Sequence, residues 1–165
     1  MSELYKVLRI IFIRITTLYY CIRSGIEYDS SYQIKGCPKV NKGNFLKRLL
    51  KYPAIGGELI IGKDFKCNNK MKSNSIGLIQ PCLFNILTKG SKIIIGNNVG
   101  ISGSTLSAIQ SITIGNNVWF GGNVVVLPNV TIGNNCVIGA GSVVTKNIPD
   151  NSLAFGNPCR VVREI

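Results

Sequence analysis

The stretch from Ile112 to Val144, ITIGNNVWFGGNVVVLPNVTIGNNCVIGAGSVV, decides the fold. Ile114, Phe120, Val126, Ile132, Ile138 and Val144 stand six residues apart, and Gly115, Gly121, Gly133 and Gly139 directly follow four of them. A second comb, Val118, Val124, Val130, Cys136 and Ser142, keeps the same period with small or apolar side chains. The pairs Asn116-Asn117 and Asn134-Asn135 punctuate the run. A period of six matches neither the ~3.6 of a helix nor the simple alternation of a strand. It suits short strands joined by tight corners, because Asn and Gly tolerate the positive φ that such corners require. The pattern predicts a parallel β-helix of hexapeptide repeats. Its coils must stack, since a single coil has nothing against which to bury its inner face. A β-meander with Asn-Gly hairpins is the alternative.

The repeat extends upstream with interruptions. Ile93-Ile94-Ile95-Gly96-Asn97-Asn98 restarts it, and Ile95 and Ile101 are again six apart. The step from Ile101 to Ile114 is thirteen, so one extra residue is expected at a corner near Ser107. Farther back, Gly56-Gly57 opens a strand at Glu58-Leu59-Ile60-Ile61, and Ile61 and Cys67 fit two hexapeptide positions. Residues 68–90, with Pro81, break the period and read as imperfect coils, as terminal repeats often are. Beyond Val144 the chain leaves the repeat at Thr145-Lys146-Asn147-Ile148-Pro149, and the tail from Ala154 to Arg163 is expected to fold back over the last coils.

The N-terminal part has a different period. Leu4, Leu8, Ile11, Ile15, Leu18 and Ile22 form one apolar stripe at helical spacing over residues 4–23, widened by Tyr5, Phe12 and Tyr19. Lys6, Arg9, Arg14 and Arg23 interrupt it, so no run approaches the ~18 apolar residues of a membrane span. Two readings stay open. The helix packs on the solenoid end or a neighbouring subunit, or it lies in a membrane interface with Tyr and Arg at headgroup level. Phe45 to Tyr52 suggests a short amphipathic turn or helix. The division expected is residues 1–54, helix and irregular lead-in, followed by residues 55–165, the β-helix with its tail.

Charge and cysteine content limit the function classes. Nineteen Lys and Arg against seven Asp and Glu give a net charge of +12, concentrated in the first half. That excess suits an anionic neighbour, such as a membrane surface, an acidic glycan or a nucleotide; a solvated basic surface explains it as well. No nucleic-acid-binding motif accompanies it, so no nucleic acid partner is expected. The six cysteines form no CxxC pair and the chain has no His, so no metal site is expected. The simplest reading is free thiols in a reducing cytoplasm, with the inner face of the membrane as the location if the helix is interfacial.

Ile132-Gly-Asn-Asn-Cys-Val-Ile-Gly-Ala-Gly-Ser-Val-Val-Thr-Lys146, followed by Asn151-Ser-Leu-Ala-Phe-Gly-Asn-Pro-Cys-Arg-Val-Val-Arg-Glu-Ile165, resembles the end of hexapeptide-repeat acyltransferases. The galactoside and maltose O-acetyltransferases are the nearest comparison over residues 112–165. Ser73-Asn-Ser-Ile-Gly77, Gln80-Pro-Cys82 and Asn98-Val-Gly-Ile-Ser-Gly-Ser104 resemble acyltransferases of surface-polysaccharide synthesis. The resemblance implies a left-handed β-helix, a homotrimer, and an acetyl-CoA donor lying in a groove between subunits. The acceptor it implies is a sugar or glycan hydroxyl. It carries CoA contact onto Gly122, Ala140, Thr145, Lys146, Arg160 and Arg163. Small residues at 122 and 140 let a thin pantetheine chain approach the backbone, and the three cations suit CoA phosphates. The resemblance also implies a His general base in an Asp-x-x-His-Pro-type segment. This chain lacks both, and Asn116-Asn117-Val118 passes straight to Trp119, where relatives carry further coils. Asp64, Glu58 and Asp150 are replacement bases by residue type only. An activated Cys would need a lowered pKa.

Overall fold

The computed structural model describes residues 3–24, 29–35, 39–42, 57–69 and 80–165. Helix α1 (Glu3–Ser24) comes first, followed by β1 (Gln33–Lys35), β2 (Lys39–Lys42), β3 (Glu58–Ile61) and β4 (Lys66–Asn68). The next coils hold β5 (Leu83–Ile86), β6 (Lys92–Ile95), β7 (Gly100–Ser102), β8 (Thr105–Ala108) and β9 (Ser111–Ile114). Then come β10 (Trp119–Gly122), β11 (Val125–Val126), β12 (Thr131–Ile132), β13 (Val137–Ile138) and β14 (Val143–Val144). The tail supplies β15 (Ser152–Phe155) and β16 (Arg160–Glu164).

These strands form three parallel sheets, one on each face of a solenoid. The first runs β1-β4-β7-β10-β13-β15-β16, the second β14-β11-β8-β5-β2, and the third β12-β9-β6-β3. Through β14 every third strand stacks on the same face, as hexapeptide coils require, and β15 and then β16 extend the first sheet. Both combs turn inward: Ile114, Phe120, Val126, Ile132, Ile138 and Val144 are buried, and so are Val118, Val124, Val130, Cys136 and Ser142.

The Asn pairs form a two-column ladder up the corner between the third and first sheets. In one column Asn97 N–H donates to Asn116 Oδ1, Asn116 N–H to Asn134 Oδ1, and Asn134 N–H to Asp150 Oδ1, each at 2.8 Å. In the other, Asn98, Asn117, Asn135 and Asn151 hold φ between 53° and 56° and link side chain to side chain at 2.9–3.1 Å. Backbone N–H groups at a turning corner have no strand partner, and the Asn side chains supply one.

Ile61 and Cys67 do take hexapeptide places, paired with Ile95 and Ile101. The solenoid begins earlier than residue 55, because β1 and β2 are already rungs of the first and second sheets. Two local expectations need correction. Ser107 lies within β8, its Oγ accepting from Asn85 Nδ2 at 2.9 Å, and the extra length sits at the next corner, where Ile109 is pushed to the surface. Leu106 takes the inward place under Val126. The tail does not simply fold back either. Strand β15 continues as a parallel rung on β13, and only β16 reverses, antiparallel to β15. The short amphipathic segment expected at Phe45–Tyr52 lies outside the described residues.

Helix α1 packs on β1 at the first end of the solenoid. The contact is made by Thr17 and Cys21, both fully buried, with Tyr20 against the core. The apolar stripe faces away: Leu8, Ile11, Ile15, Leu18 and Ile22 are all exposed. No helix among the described residues is long and apolar enough to cross a membrane.

Candidate functional site

The corner between the first and second sheets gathers part of the site expected from the sequence. Gly122 and Ala140 occupy successive coils there, linked by the Gly141 N–H donating to the Gly122 carbonyl at 2.8 Å. The coils approach so closely that a Cβ on Gly121 would stand 2.5 Å from the Ala140 nitrogen. Gly122 is buried, whereas Ala140 is exposed and offers only a methyl group to solvent. Ser142 locks the corner from within, donating to the Gly139 carbonyl at 2.6 Å and accepting from the Gly156 N–H at 3.1 Å. The Oδ1 of Asn123, at positive φ on the same corner, is buried with no donor among the described residues. That acceptor was not legible in the repeat, where Asn123 reads as one more corner residue.

The tail carries Arg160 and Arg163 on β16. Val143 N–H donates to the Gly156 carbonyl at 3.0 Å, and Cys159 N–H to the Val143 carbonyl at 2.8 Å. Residues 156–159 are thereby laid along β14, and Arg160 follows, its Nη1 donating to the Cys159 carbonyl at 2.9 Å. Thr145 and Lys146 are exposed at the other end of the two-residue strand β14. Arg163 lies farther along β16, opposite Leu153, and is also exposed. One chain thus brings Gly122 and Ala140 together, sets Thr145-Lys146 one short strand from that corner, and carries both Arg160 and Arg163 on β16, the edge strand of the first sheet two places beyond β13.

A separate shallow cavity of about 200 Å³ opens on the first sheet, lined by Lys66, Asn68, Gly100, Ser102 and Trp119 among others. Trp119 is half exposed, and Gly100 leaves room beside its indole. The sequence placed Trp119 at the junction of two repeats but did not show that Cys67 and Ile101 would floor a cavity next to it.

None of the replacement bases reaches either place. Glu58 pairs with Lys92 at 2.8 Å on the third sheet. Asp150 ends the Asn ladder, accepting from Asn134. Asp64 sits in a positive-φ turn beside the helix, in a cavity with Ile10, Arg14 and Tyr32. Burial pushes Cys21 up to about 11 and raises Cys67, Cys136 and Cys159, which suits none of them to attack. In Cys82 the upward push of burial is outweighed by hydrogen bonds to Cys67 and to the Ser104 and Gly103 backbone, so its pKa is lowered, but it is fully buried.

A family model described as bacterial transferase hexapeptide (six repeats) matches residues 111–146, the stretch whose coils build the corner. The chain carries hexapeptide repeats over these residues. Among curated relatives, a Staphylococcus haemolyticus protein provisionally named an acetyltransferase is 68% identical over 60 residues, 36% of this chain and 31% of its own. The Saccharomyces cerevisiae protein YJL218W, also provisionally named an acetyltransferase, is 34% identical over 139 residues, 74% of this chain and 64% of its own. The hexapeptide-repeat chain therefore spans less than two thirds of these relatives' length. Among solved structures, a maltose O-acetyltransferase from Clostridium difficile 630 superposes with TM-score 0.54 at 26% identity, over 99% of this chain and 89% of that one. A galactoside acetyltransferase in complex with coenzyme A gives 0.56 at 28% identity, over 100% and 84%.

Proposed function

We propose that this hexapeptide-repeat protein is an acyl-CoA-dependent O-acetyltransferase by descent, acting on a sugar or surface-glycan hydroxyl from the cytoplasmic side. The observation that carries the reading is the corner where exposed Ala140 stands one coil above buried Gly122. Support comes from the likeness to the coenzyme-A-bound galactoside acetyltransferase and to the maltose enzyme. The residues fit the donor chemically. A methyl-only corner admits a thin pantetheine chain, and Thr145, Lys146, Arg160 and Arg163 are exposed groups suited by chemistry to the CoA phosphates. Acetyl-CoA would supply the activated thioester. Gly122 is buried in the single chain, so its part is to let the coils close up beneath Ala140. We place the complete groove between copies of a homotrimer, with Arg163 reaching the phosphates from across the first sheet.

The acceptor hydroxyl must lose a proton, and no His exists in the chain to take it. Loss of a positioned general base lowers the rate ~10²–10⁴-fold. Donor binding and proton removal draw on different parts of the molecule, so the first outlasts the second. The absence of His favours a second reading, a non-catalytic relative that binds acyl-CoA or assembles with active subunits.

Calorimetric titration with CoA at fixed ionic strength tests the donor site. Wild type is expected to bind, and Arg160→Glu to bind at least ~10-fold more weakly, about 1.4 kcal/mol. Lys146→Ala is expected to lose less, because Lys acts as a point charge without Arg's fork. Absence of wild-type binding at millimolar CoA overturns the donor reading; equal binding by Arg160→Glu overturns the residue assignment. Acetyl transfer to sugar acceptors then separates the two readings. Slow turnover favours the enzyme, none favours the binding relative, and an ordinary rate reveals a base that the chain's composition hides.

A further inference from the structure

We infer that the outward face of α1 docks the protein flat onto an anionic lipid surface. The inference is independent of donor binding. The helix meets the solenoid through buried Thr17 and Cys21, with Tyr20 half-buried against the core, while Leu8, Ile11, Phe12, Ile15, Leu18, Tyr19 and Ile22 are left in solvent. A continuous exposed apolar stripe along one helix marks an interaction surface.

The charge beside the stripe selects the occupant. At ~100° per residue, Arg9 and Arg23 fall along one edge of the stripe and Arg14 along the other. Between Leu4 and Ser24 the helix has no Asp or Glu. Arg23 Nη1 donates to Tyr19 Oη at 2.9 Å, setting a guanidinium beside an aromatic ring, a pairing suited to headgroup depth. Asp64 shares a cavity with Arg14, on the solenoid side of the helix. Anionic headgroups complement this arrangement, and acyl chains cover the stripe. A second copy would instead set the same arginines against each other on a chain of net charge +12. Docked in this way, the solenoid stands away from the lipid. With strands ~4.8 Å apart, the coil of Ala140 lies roughly 20 Å along the first sheet from β1, where water-soluble donors reach it.

Flotation of the full-length protein with vesicles tests the inference. One vesicle contains phosphatidylglycerol and phosphatidylcholine in about equal parts, the other phosphatidylcholine alone. Two variants leave Thr17 and Cys21 untouched: Ile11→Glu with Ile15→Glu, and Arg9→Gln with Arg14→Gln. Thermal melting checks that each is folded. Wild type is expected to float with the anionic vesicles, with binding reduced at least ~10-fold in each variant and weakened by high salt. The inference is overturned if wild type does not float, if it floats equally with neutral vesicles, or if the variants float as well as wild type. It is likewise overturned if Ile11→Glu with Ile15→Glu breaks an oligomer that never floats, since a second copy then covers the stripe.

Discussion

Asn117 shows how much one corner residue carries. Its φ is 56°, its N–H donates to the Asn97 carbonyl at 2.9 Å, and its side chain links Asn98 to Asn135 at 3.1 and 3.0 Å. Gly would keep the backbone and lose the side-chain bonds; Val would lose the bonds and also strain the left-handed conformation by ~1–2 kcal/mol. Asn117→Val is therefore expected to be less stable than Asn117→Gly by about that amount in urea unfolding. Equal midpoints would mean that the corner relaxes without strain. The Asn pairs were legible because few residues accept positive φ. The partners of their side chains were not, because those lie a whole coil away in sequence.

At the scale of elements, the spacing between coils is set by glycines that face the next backbone. Adding a methyl group at Gly121 would bring carbon to 2.5 Å from the Ala140 nitrogen, and neither rung has a flexible side chain that could yield. Gly121→Ala is expected to lose ~1–3 kcal/mol of stability and, because it wedges Gly122 from Ala140, to weaken CoA binding. Chemical denaturation and a CoA titration of the same variant check both. A loss of stability with unchanged binding would detach the donor site from this corner. Helix α1 gives the contrasting case. Its period and stripe were plain in the sequence, but its orientation was not. The small Thr17 and Cys21 approach the solenoid end closely, which leaves the larger apolar side chains outside.

For the molecule as a whole, buried thiols predict a response to alkali. In Cys82 burial is outweighed by hydrogen bonds to Cys67 and to backbone, which lower its pKa, but the other four described thiols go up: burial raises Cys21 from 9.0 to about 11, and Cys67, Cys136 and Cys159 shift the same way. In the unfolded chain these thiols ionise first as pH rises, while the folded chain keeps its protons. The stabilisation is thus fully present below about 9 and is lost as pH climbs toward 11. Under reducing conditions the urea midpoint is expected to fall between pH 8 and pH 10.5, with a shallower fall in Cys21→Ala. A midpoint independent of pH in that range would show that the thiols ionise without resistance from the fold.

The chain's own order of residues determined the solenoid, its inward combs and its corners, because a hexapeptide coil is a local object. Six residues specify a strand and a turn, and repetition specifies the stack. The same order carried the donor residues only through likeness to a family. Tertiary structure decided what depends on neighbours distant in sequence. It laid residues 156–159 along β14 and so ran Arg160 into β16 opposite Phe155, tied Glu58 to Lys92 and Asp150 to Asn134, and opened the Trp119 cavity. It also turned the helix's apolar stripe outward, since periodicity records that a helix has two faces while only packing decides which face meets the core.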